Sequence, residues 1–150
     1  MGLNPGKHAI SIHCFGDLSA ARGGGIGKIF NPFRKCHGDP QDAVDKRMVG
    51  DLGNLEVVSP RACDSDNACG DDQSKNATAI NVWMEDQLVR LTGPHSVIGR
   101  SIIICSGEDD CGRGDHELSL INGNCGEIIA AGVIGIAETC DIRNTRGVAT

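Results

Sequence analysis

Residues 9–15 read AISIHCF, and this stretch decides how the chain folds. Ile10, Ile12 and Cys14 fall on one face of an extended chain, with Ala9, Ser11, His13 and Phe15 on the other, so the alternation predicts a β-strand. Ser11 and His13 are neighbours on one face. Two histidines at that spacing would make half of a metal site; a serine and a histidine do not. Further strand signals follow the same logic. AINVWMED at 79–86 alternates, placing Ile80, Val82 and Met84 inward and Asn81, Trp83 and Glu85 outward. SIIIC at 101–105 and EIIAAGVIGIA at 127–137 are continuous apolar runs, and LEVV at 55–58 is a weaker one. No stretch reads as a helix. Long Gly-rich connections at 16–54, 59–76 and 106–126 separate the strands, and connections of that length are usually functional or disordered. An all-β sandwich or barrel carrying its function on loops is expected.

Composition narrows the function. The formal net charge of −6 argues against nucleic acid, which requires clustered Lys and Arg. The short basic grouping FRKCH at 33–37 reads as a solvated loop. No apolar run approaches the roughly 20 residues of a membrane helix. The start, MGLNPGKHAI, lacks the apolar core of a signal peptide, so a cytosolic chain is expected. Cys14, Cys36, Cys63, Cys69, Cys105, Cys111, Cys125 and Cys140 would then be mostly thiols, and Asn76 in NAT a chance glycosylation sequon. The insert at 59–76 includes CDSDNAC but lacks the register of a calcium loop, so it is expected to be a solvated insertion. Residues 138–150 are expected to form an unstructured tail, which leaves 1–137 as one domain.

Several blocks in order carry a resemblance: GLNPGKHAISIHCFGD, IFNP, KCHGDP, VGDLGN, LTGPHSVIGRSIIIC, EDDCGRGDHELSLINGN and AAGVIGIA. Together they closely resemble the copper–zinc superoxide dismutases over about residues 2–137. The resemblance implies a Greek-key β-sandwich of eight antiparallel strands. The chain opens at what resembles the family's fourth strand, so a sandwich lacking the first three strands is expected, with open edges.

The resemblance also assigns positions. In the family, four histidines hold copper, three histidines and an aspartate hold zinc, and one imidazole bridges the metals. The copper positions fall at Ser11, His13, Ile29 and Cys105, so one histidine of four remains. The zinc positions fall at Ile29, His37, Met48 and Asp51, which leaves His37 and Asp51, half of a tetrahedral set. Asp109 matches the carboxylate that links the two metals. Cys105 with His13, helped by Met48, Cys14 or Cys36, is a softer set that could take weak copper or zinc, although a buried cysteine packing as a small apolar residue is the simpler reading. The family's loop disulfide would join Gly23 to Ala131, so both halves are absent. Its substrate-guiding arginine falls at Ile128, and a basic steering residue at Leu120. His8, His95 and His116 match no ligand position and read as surface or loop residues.

The expectation is therefore a dismutase-like protein without full copper or zinc, impaired in catalysis and acting through protein binding. A genuine copper–zinc dismutase or its copper chaperone would be the partner. Two other readings stay open: an enzyme with residual activity, and a fragment of the copper chaperone, whose middle domain is similar.

Overall fold

The computed structural model describes residues 3–19, 24–58 and 83–137. Four strands form one antiparallel sheet: β1 (Gly6–His13), β2 (Asp51–Val57), β3 (Ser101–Cys105) and β4 (Ile128–Val133). They lie in the order β2-β1-β3-β4, so the connection from β2 to β3 crosses over β1. The one helical turn among the described residues, α1 (Ser119–Asn122), ends at Gly123 in the left-handed region. The all-β expectation holds.

Register fixes which side chains share a face. Ile10 pairs with Ile104 and Ile12 with Ile102, while Ser11 pairs with Ile103. Paired residues of an antiparallel sheet point the same way. Ile10 and Ile12 join Phe30, Val49, Leu52, Leu55, Val57 and Val97 in one core. Ala9 joins Ile26, Ile103, Cys105 and Cys125 in a second. Both faces of β1 are therefore covered, and Ala9 to Ile12 are all buried. On the first face Ile102, Ile104 and Ile134 are only partly buried, and a groove of about 560 Å³ runs past Ile10, Ile12, Val97, Ile102 and Ile134.

The loop from β1 to β2 doubles back on β1 and positions the site. Cys14 N–H donates to Lys28 O and Phe30 N–H to Ile12 O, at 2.9 and 2.8 Å. Gly50 N–H then donates to Phe30 O, and Ile12 N–H to Gly50 O, both at 2.9 Å. Three backbone segments meet here so closely that a Cβ on Gly50 would strike Ile12 O and lie 2.9 Å from Phe30 N. Only glycine fits.

Some elements differ from expectation. The LEVV strand begins earlier, at Asp51, and the 127–137 run contributes only Ile128–Val133 to the sheet. Of the strand expected over 79–86, residues 83–86 are irregular and Trp83 is fully in solvent, while 79–82 lie outside the described residues. The insert at 59–76 and the tail also lie outside them. His8 is no surface residue: it is buried on β1, its ring nitrogens facing Cys105 O at 3.0 Å and Asn4 O at 2.9 Å. The alternation of β1 puts it on the same face as Ile10 and Ile12, opposite Leu55 of β2. His116 is exposed as expected, and half-buried His95 stacks edge-on against Phe33.

Candidate functional site

His37 lies in the β1–β2 loop, Asp51 opens β2 and Asp109 follows β3, and all three are buried. The fold brings them together as one chain of ion pairs. His37 donates Nδ1–H to Asp51 Oδ1 at 2.8 Å and Nε2–H to Asp109 Oδ1 at 2.7 Å. Asp51 Oδ2 also accepts from the backbone N–H of Met48 at 2.8 Å and of Gly38 at 3.1 Å. Asp109 Oδ1 accepts from Cys111 N–H at 2.7 Å. Burial disfavours a charge on His37, but the hydrogen bonds and charges of Asp109 and Asp51 outweigh it and raise its pKa to about 10. Both ring nitrogens are engaged by carboxylates in this arrangement. Gly123 makes the arrangement possible, because a Cβ there would collide with Asp109 Oδ1.

A second locus shares Asp109 with the first. Ser11, His13, Ile29, Cys105 and Ile128 line one cavity of about 130 Å³ with Asp109, Asn122 and Cys125. The four positions assigned to copper ligands and the position of the guiding arginine thus meet around one space. Its chemistry is mostly apolar. His13, half-buried at the end of β1, donates Nδ1–H to Gly27 O at 2.8 Å. Burial lowers its pKa, with the Gly27 bond opposing, so it is a neutral imidazole. Buried Ile29, bridged to His13 in backbone pairing, stands where an imidazole would join two metals. Exposed Leu120 lines a neighbouring pocket with His13, Ile29 and Met48.

These residues do not fit the family's metals. The cavity offers one neutral imidazole where copper takes four histidines, and the zinc side offers a histidine whose two nitrogens are spent on carboxylates. Among the described residues no group of three or more His, Cys, Asp or Glu side chains is placed to hold a metal ion. Of the softer set, Cys105 and His13 share the cavity wall, and Met48 lines the neighbouring pocket with His13.

Two features escaped the sequence. Cys125 Sγ lies 2.6 Å from Cys105 Sγ, although 20 residues separate them, and no spacing rule marks that pair. Arg47 is buried against Asp86 at 2.6 Å and donates to Asp51 O at 3.2 Å, which braces the loop before β2. Asp109, matched to the carboxylate that links the two metals, binds His37 directly. Of the disulfide positions, Ala131 pairs with Ile103 within the sheet and Gly23 lies outside the described residues.

Comparison with known proteins agrees with this layout. The family pattern described as copper/zinc superoxide dismutase (SODC) matches residues 1–134. The chain is 42% identical over 138 residues to a Haemonchus contortus protein named extracellular superoxide dismutase [Cu-Zn]. That match covers 90% of this chain and 63% of the relative, so the chain spans under two thirds of the relative's length. The cytosolic expectation is corrected by this match, because the relative is named as extracellular. That expectation rested on the first ten residues, which lie within the family match. The ordered blocks, the antiparallel sheet and the family match together show that the chain belongs to the copper–zinc superoxide dismutase family.

Proposed function

We propose that this chain is a dismutase-like protein that does not turn over superoxide and acts outside the cell by binding protein. One observation carries the reading. His37, the surviving histidine of the zinc set, gives both ring nitrogens to buried carboxylates, and Ile29 and Met48 stand at the other two histidine positions, so the full zinc set is absent. Loss of imidazoles at Ser11, Ile29 and Cys105 removes the copper side, and Ile128 and Leu120 leave an anionic substrate without a guiding charge. The extracellular setting follows the name of the Haemonchus contortus relative. A genuine copper–zinc dismutase or its copper chaperone is the proposed partner, and the partly buried isoleucines along the first face of the sheet support an association surface.

The test is the decay of a superoxide pulse in the presence of the protein after exposure to copper and zinc salts and dialysis. Decay at the buffer rate is expected. Catalysed decay above that of free copper ions would overturn the reading and revive the enzyme with residual activity. For the binding part, affinity capture from extract should retain a dismutase or its chaperone, and recovery of neither would sink it.

A further inference from the structure

We propose that Cys105 and Cys125 form a structural disulfide that closes the 106–126 loop over the cavity. The observation is geometric. The two sulfurs lie 2.6 Å apart, inside nonbonded contact and about 0.5 Å beyond the ~2.05 Å of a disulfide bond. The backbone brings them there independently of the side chains. Cys105 ends β3 opposite Ile128, and the loop returns alongside it through Ser106 N–H to Glu127 O at 2.7 Å and Gly107 N–H to Cys125 O at 2.9 Å. Both side chains are buried in the second core, where thiols have no other work.

The oxidant belongs to the class of low-molecular-weight disulfides, such as glutathione disulfide. The exchange starts from a cysteine thiolate, taken as Cys125. That thiolate displaces one thiolate from the small disulfide and forms a mixed disulfide. The Cys105 sulfur then attacks Cys125 Sγ, releasing the second small thiol, and the Cys105 proton goes to the released thiolate. Two protein thiols are oxidised and one small disulfide is reduced to two thiols. Because both sulfurs are buried in the folded protein, exchange takes place while the loop is still open, and the finished bond is shielded. The bond commits the sulfur at a position the family uses for copper, and it stands whether or not the protein proves inert towards superoxide.

The experiment refolds the full chain in a glutathione redox buffer, alkylates free thiols under denaturing conditions without reductant, and digests at acidic residues. Cleavage between 108 and 110 separates Cys105 from Cys111, and cleavage at 127 separates Cys125 from Cys140. The expected product is a linked peptide pair carrying Cys105 and Cys125, lighter than the reduced pair by two hydrogens, and retained in Cys111→Ser. Linkage should also persist when mild reductant is added to the folded protein. Recovery of both cysteines alkylated, or linkage of either to a different cysteine, would overturn the proposal.

Discussion

At position 37 a buried imidazolium sits between two carboxylates, and this arrangement sets how the protein responds to pH. The folded-state pKa of about 10 lies above the 6.5 of an unpaired histidine. The ion pairs therefore contribute fully below about pH 6.5 and fade as the pH rises through about 10. Urea unfolding from pH 6 to pH 10 should show stability falling across that window, and His37→Gln should flatten the difference. A wild-type and variant pair with identical pH profiles would contradict the assignment. His37→Ala leaves Asp51 and Asp109 buried without their cation, so a loss of about 3–5 kcal/mol is expected in the same assay. At this scale the sequence was partly legible. His37 and Asp51 stand out in KCHGDP and VGDLGN, but that His37 pairs with Asp109, 72 residues away, depends on the fold. Cys125 was hidden for the same reason, since its partner lies across a loop rather than at a motif spacing.

Elements were legible where the apolar pattern was clean. AISIHCF gave its strand by alternation and SIIIC by a short continuous apolar run. The first half of β2 was not, since Asp51, Gly53 and Asn54 read locally as turn residues. Tertiary contacts override that preference. Asp51 is held by His37 and two backbone N–H groups, and Gly53, at φ 74, occupies a conformation that suits glycine. The turn α1 was missed because four residues leave no helical period to read. The closest backbone approach, at Gly50, yields a sharp test. Gly50→Ala places a methyl group against Ile12 O and Ile29 Cγ2, so a loss of about 1–3 kcal/mol is expected by urea unfolding. Unchanged stability would mean the loop does not dock on β1 as described.

Across the whole molecule, the family's scaffold is kept while most of the residues at its ligand positions differ. The sheet, the loop that folds back on β1 and the cavity at its end keep the positions at which a metal enzyme would place its ligands. The side chains in those positions contribute an apolar wall, the Cys105 sulfur beside Cys125, and the His37 network. A fold class depends on alternation and turn chemistry that many residues share, which is why it was readable from ordered blocks of sequence. Chemistry depends on a few side chains, and whether the replacements still cooperate is decided only by how they meet in space. The central claim is that they do not assemble a copper site. Elemental mass spectrometry of the protein, loaded with copper and zinc salts and then dialysed exhaustively against metal-free buffer, tests it most directly. The expected result is no copper and at most traces of zinc, and near-stoichiometric copper would contradict the account.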